Sequence, residues 1–109
     1  MRGAQCLLLN QWKNMKTIQN AKFSLGRILI TPGARAAFAD AEEQCDSYLE
    51  RHARGDWGDL CQEDLEENEL SLEQGFRLLS AYRLNDLEKL WIITEADRSV
   101  TTILLPGEY

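Results

Sequence analysis

The last third of the chain constrains the fold most. Three runs rich in β-branched, aromatic and leucine residues, 77–84, 89–94 and 100–105, follow one another through connectors of four and five residues. Connectors that short cannot carry a crossover, so the runs predict an antiparallel meander. Asn85-Asp86 supplies one turn, residues 95–99 the other, and Pro106-Gly107 ends the last strand. A sheet of this kind must bury one face, and the residues before it supply the cover.

That cover is an amphipathic helix expected over residues 32–54. Ala34, Ala37, Phe38, Ala41, Cys45, Tyr48 and Leu49 recur at steps of three, four and seven, one stripe on one face. Thr31 suits the N-cap, Pro32 the first helical position, and Gly55 a left-handed residue after the end. A second, short or broken helix is expected over residues 62–73, with Leu65, Asn68 and Leu72 in line and Gly75 closing it. Residues 23–31 read as a further strand whose place in the sheet the sequence leaves open. The fold class expected is α+β: an antiparallel β-meander of three to four strands packed against one long amphipathic helix plus a short second helix.

Charge divides the 109 residues. The first 33 carry Arg2, Lys13, Lys16, Lys22 and Arg27 and no acid, whereas the rest nets −11, giving −6 overall. Residues 1–20 therefore read as a basic N-terminal extension, and 21–109 as a single domain. Met15-Lys16 reads as a second start, which makes the first 14 residues an upstream extension of a shorter domain. An acidic balance disfavours a nucleic-acid-coating function, because such binding rests on neutralising phosphates. No apolar run is long enough for a membrane span. Three cysteines in no CxxC pattern point to a reducing cytoplasm and to packing roles. A single histidine leaves little for a His-based metal site, and no cofactor is expected.

Seven residues make up the candidate binding surface: His52, Asp56, Trp57, Asn68, Glu95, Asp97 and Arg98. His52 continues the helix stripe in the last turn, where the dipole favours a cation. It reads either as an acid/base group or, preferred for a lone histidine without a nucleophile, as a capping residue half-buried against Trp57. Trp57 sits between two glycines and plugs the core under the helix end, with Asp56 set for an Asx turn. Eight acids and no base lie between Asp56 and Glu73. Without calcium-loop spacing they read as a solvated acidic helix face, which a basic arm of the same or a second copy could meet. Asn68 on an apolar line must be hydrogen-bonded and is expected to tie its helix to a neighbouring backbone. Asp97 is expected to bond nearby N–H groups and Arg98 to pair with an acid. The turn carries more polar groups than turning requires, which makes it the leading surface candidate. Trp91 reads as core.

Leu25-Gly26-Arg27, Thr31-Pro32-Gly33-Ala34, Arg51-His52-Ala53-Arg54-Gly55-Asp56-Trp57-Gly58, Glu67-Asn68-Glu69, Arg77-Leu78-Leu79-Ser80-Ala81-Tyr82, Trp91-Ile92-Ile93-Thr94-Glu95-Ala96-Asp97-Arg98-Ser99 and Thr101-Thr102-Ile103-Leu104-Leu105-Pro106 also carry a resemblance. Over residues 23–109 the chain resembles a family of small uncharacterised bacterial proteins of plasmids and other mobile elements. The resemblance implies a bacterial, cytoplasmic, mobile-element setting, consistent with a gene-cassette product, and implies no activity. The function expected is a non-enzymatic binding protein that forms a homodimer or takes a protein partner through a sheet face or edge. The alternative is a small enzyme using His52 with Asp56, Glu95 or Asp97.

Overall fold

The computed structural model describes residues 7–8, 20–85 and 88–109. The elements are β1 (Leu7–Leu8), β2 (Arg27–Ile30), α1 (Pro32–Ala41), α2 (Asp46–Ala53), α3 (Gln62–Gln74), β3 (Leu78–Arg83), β4 (Lys89–Thr94) and β5 (Val100–Leu104), then a 3₁₀ turn, Pro106–Glu108. The predicted basic extension, the second start at Met15 and the turn residue Asp86 lie outside the described residues, apart from β1 and Asn20.

The meander forms as expected: β3 pairs antiparallel with β4, and β4 with β5. The sheet as a whole is mixed rather than a pure antiparallel meander. β2 joins it beside β5 in parallel, Arg27 opposite Val100 and Ile30 opposite Ile103. The two-residue β1 extends the sheet antiparallel to β2, giving the order β1-β2-β5-β4-β3. The reason is directional. β2, β3 and β5 all run the same way, so the passage from β2 to β3 is a crossover, which parallel strands require to be long and which helices usually make.

The long helix expected over 32–54 is two helices. Thr31 caps α1, accepting from the Ala34 amide at 3.2 Å, and Pro32 opens it. The helix then stops at Glu42, which turns left-handed (φ 56°), with the Glu43 amide reaching back to the Phe38 carbonyl at 3.1 Å. A straight helix of 23 residues would run about 35 Å, whereas the sheet's strands of four to six residues reach about 13 to 20 Å. Breaking the helix keeps the whole apolar stripe over the sheet. Phe38 from α1 and Tyr48 from α2 meet at 5.8 Å, and Tyr48 reaches Tyr82 of β3 at 5.5 Å. The second helix is continuous and closes at Gly75 (φ 79°), as expected.

The paired register puts Ile28, Ile30, Ser80, Tyr82, Leu90, Ile92, Thr94, Thr101 and Ile103 on one face. Ala34, Ala37, Phe38, Leu49 and Ala53 from α1 and α2 cover it in one buried cluster. Trp91 lies on the opposite face and is half-buried, its ring 5.9 Å from Tyr109 and edge-on, so it is not a core residue. The alternation of β4 decides this: Leu90 and Ile92 take the core side and Trp91 the other.

The 3₁₀ turn locks the start of α1. The Glu108 carboxylate accepts from the Thr31 hydroxyl, from the Gly33 amide at 3.1 Å and from the Leu105 amide at 2.9 Å. Burial pushes its pKa up, but these bonds outweigh burial and hold it below the ordinary carboxylate range.

Candidate functional site

His52 is the centre of a buried polar chain. It is fully enclosed, with Nδ1 2.5 Å from Ser80 Oγ and Nε2 2.9 Å from Thr94 Oγ1. Thr94 Oγ1 lies 2.7 Å from Thr101 Oγ1, and the Thr101 hydroxyl donates to the Leu25 carbonyl at 2.7 Å. Each hydroxyl has one proton, so the direction of every bond follows. Thr101 spends its proton on Leu25, so Thr94 donates to Thr101. Thr94 must then accept, and His52 donates from Nε2–H. Nδ1 is left as the acceptor for Ser80. The imidazole is neutral: burial, with the Arg98 charge behind it, pushes its pKa down to about 3. The expected half-buried capping cation is thus corrected. A charged ring here would lose its water and gain no anion, and Nδ1 would have no lone pair for Ser80.

Around His52 stands an aromatic group. Phe23 meets the imidazole edge-on at 5.2 Å and stacks on Trp57 at 6.1 Å, and Trp57 lies 5.7 Å from the imidazole. Trp57 is buried and donates from its indole N–H to Glu69 of α3 at 2.8 Å, so it plugs the core as expected. The strand expected over residues 23–31 is only Arg27–Ile30, so Phe23 stands ahead of it, free to pack on the imidazole and the indole.

Among the described residues Arg98 pairs with no acid. It sits left-handed (φ 61°) and donates to four carbonyls: Phe76 at 2.6 Å, Ser71 at 3.0 Å, Glu95 at 3.2 Å and Ala96 at 3.3 Å. Its guanidinium also lies 5.7 Å over the Phe23 ring. The hairpin turn is thereby tied to the end of α3, where the Ser71 carbonyl also accepts from the Gly75 amide at 2.9 Å and the Phe76 amide at 3.1 Å. Asp97 accepts from the Ser99 amide at 3.0 Å and hydroxyl at 2.5 Å, and Glu95 faces Arg77 at 3.4 Å. The extra polar groups of the turn are spent on the fold.

Asn68 also does what its position predicts. Its amide donates to the Leu79 carbonyl at 2.6 Å and accepts from the Leu79 amide at 3.1 Å. One residue pair along, the Trp57 carbonyl and Asp59 amide bond Ala81 at 3.0 and 2.6 Å. The Asp56 Asx turn sets up that contact, its carboxylate accepting from the Gly58 amide at 3.3 Å and from Arg51 at 2.8 Å. The outward-facing backbone of β3 is therefore bonded at Leu79 and Ala81, and this edge of the sheet is closed there.

The seven candidates do not converge. His52 and Trp57 touch each other. Asp56, Glu95 and Asp97 hold local partners, and none of them bonds His52. The three cysteines also separate: Cys45 packs beside the core with its thiol pushed up to about 11 by burial, Cys61 is exposed and so not a packing residue, and Cys6 lies outside the described residues.

Two concavities were missed by sequence reasoning. An open groove of about 410 Å³ runs past Arg51, Asp56, Gly58, Asp59, Tyr82 and Arg83, with the Arg51 guanidinium stacked 4.5 Å over Tyr82. A smaller notch of about 120 Å³ lies between α3 and β3. Both join residues far apart in the chain, so no local pattern announces them. Among the described residues no group of three acids, cysteines or histidines is placed to hold a metal ion. No helix among the described residues is long and apolar enough to cross a membrane. No protein-family model, curated protein or solved structure matches the chain.

Proposed function

We propose that this chain is a non-enzymatic binding protein that engages a protein partner through the outer face of α3. The observation that carries the reading is how α3 divides its side chains. Asn68 and Ser71 are buried against the sheet side, Asn68 bonding the β3 backbone, while Glu69 reaches the Trp57 indole from the helix flank. Glu63, Glu67 and Glu73 stand around Leu70, which is 44% exposed, and none of the three has a partner among the described residues. Charged side chains ringing an exposed apolar residue are the makings of a small interface. The enzyme alternative is not favoured, because both nitrogens of His52 are already bonded out of reach of solvent. The resemblance to plasmid-borne bacterial proteins supports a mobile-element setting and a cytoplasmic location.

A homodimer is the second reading, favoured by the split of charge between residues 1–33 and the acidic remainder. Strand pairing across β3 is a poor route to it, since Leu79 and Ala81 are bonded within the chain. Light scattering decides between the two readings. The test of both is retention of a partner, or of a second copy, by the native chain and by the triple variant Glu63→Gln/Leu70→Ser/Glu73→Gln. Retention by the native chain alone is expected. A strict monomer that retains nothing sinks the proposal.

A further inference from the structure

The notch between α3 and β3 has a chemistry of its own. Leu60 and Leu79 are half-buried and form its apolar walls. Asp64 and Glu67 stand three residues apart on one face of α3, exposed on its rim, and make no ion pair or hydrogen bond among the described residues. The two other lining groups are already committed. Asn68 spends its amide on the Leu79 backbone. Arg77 lines the notch with its guanidinium already engaged, donating to the Tyr109 hydroxyl at 2.5 Å and to Glu95 at 3.4 Å. What remains is a small apolar slot with two exposed carboxylates at its mouth that have no protein partner among the described residues.

We propose that this notch receives a lysine side chain of a partner protein. The inference rests on the reading that α3 faces such a partner. A lysine brings a flexible four-carbon stem that gains by lying on apolar walls, and a compact ammonium that sits between two carboxylates. An uncharged apolar side chain would leave the rim charges unmatched. An arginine carries a planar fork, bulkier than a compact ammonium and harder to seat in a slot of this size. The slot's volume of about 120 Å³ suits a single side chain rather than a folded element. Such a socket supplies specificity at the centre of a larger contact and is weakened by salt.

The experiment is an NMR titration of the full chain with acetyl-Ala-Ala-Lys-Ala-Ala-amide and with its norleucine and arginine counterparts. The expected result is saturable shifts of the Leu60 and Leu79 amides and the Asn68 side-chain amide with the lysine peptide. Affinity should fall at least about tenfold with norleucine, or in the Asp64→Asn/Glu67→Gln variant, which removes the charge pair. The control Asp40→Asn/Glu88→Gln, which removes two exposed charges from α1 and from just ahead of β4, should bind within about twofold of the native chain, because neither residue lines the notch. Equal binding of the norleucine peptide overturns the proposal. So do tighter binding of the arginine peptide, unsaturable shifts spread along α3, or an equal loss in the control variant. Partner retention that survives Asp64→Asn/Glu67→Gln undiminished overturns the notch alone, whereas absence of any partner on the native chain overturns the reading beneath it.

Discussion

Mild acid should destabilise this fold through His52 before any carboxylate matters. In the unfolded chain the imidazole titrates near its ordinary value of 6.5, and in the fold burial and Arg98 push it down to about 3. Above pH 6.5 both states hold a neutral ring, and the group has no effect on stability. Below pH 6.5 the unfolded chain takes up a proton that the folded chain refuses, so stability falls by about 1.4 kcal/mol per pH unit. The loss is about 2 kcal/mol at pH 5 and about 4 to 5 kcal/mol by pH 3. Asp56, Asp97 and Glu108 are held below the ordinary carboxylate range, so they begin to cost stability only at lower pH. The interval from pH 7 to 5 therefore isolates the histidine. Urea unfolding followed by tryptophan fluorescence at pH 7, 6 and 5 measures the slope, with His52→Gln as the non-titrating reference. The native chain should lose about 2 kcal/mol over that interval, a large share of a small domain's stability, while the variant starts lower and stays flat. Long-range ¹⁵N NMR should find the proton on Nε2. A native chain as stable at pH 5 as at pH 7 refutes the buried neutral imidazole, and a proton on Nδ1 refutes the assigned order of donors.

Three substitutions test the frame around that residue. Asn68→Ala removes both bonds to Leu79 and should cost about 2 to 3 kcal/mol in chemical unfolding, with faster hydrogen exchange at the Leu79 amide. Gly58→Ala puts a Cβ 2.1 Å from the Ala81 carbonyl oxygen at φ 79°, so the loop must leave β3; a loss above about 2 kcal/mol is expected, and a neutral result would mean the loop does not hold that edge. Glu108→Ala strips the carboxylate from the start of α1 and should lower the denaturant midpoint by the equivalent of about 2 kcal/mol, with Glu108→Gln losing less because its amide oxygen can still accept.

Much of the frame was legible because it is local. The meander followed from connectors too short for anything else, the capping of α1 from Thr31-Pro32, and the close of α3 from Gly75. Asn68 announced itself as a lone amide on an apolar line, and only a backbone partner could satisfy it. Asp56 and Asp97 were readable for the same reason, since an Asx turn needs nothing beyond two residues. The break at Glu42 was not legible: the apolar stripe runs through it unbroken, and no glycine or proline marks it. Its cause is the length of the sheet underneath, which no window of the helix contains.

Chain order and side-chain type by themselves determined that this is an α+β domain with an acidic helix ahead of the meander, a plugged tryptophan loop and a polar closing hairpin. The tertiary structure alone decided which of those polar groups were left over. Placing β2 parallel to β5 brought Leu25 under Thr101 and completed the chain of hydroxyls that consumes His52. Bringing α3 to the end of the hairpin consumed Arg98 on backbone carbonyls of both segments. Setting α3 beside β3 left Asp64 and Glu67 unpaired over two leucines. Whether a charge is spent or free is a matter of distances between segments remote in sequence, and those distances exist only once the chain has folded.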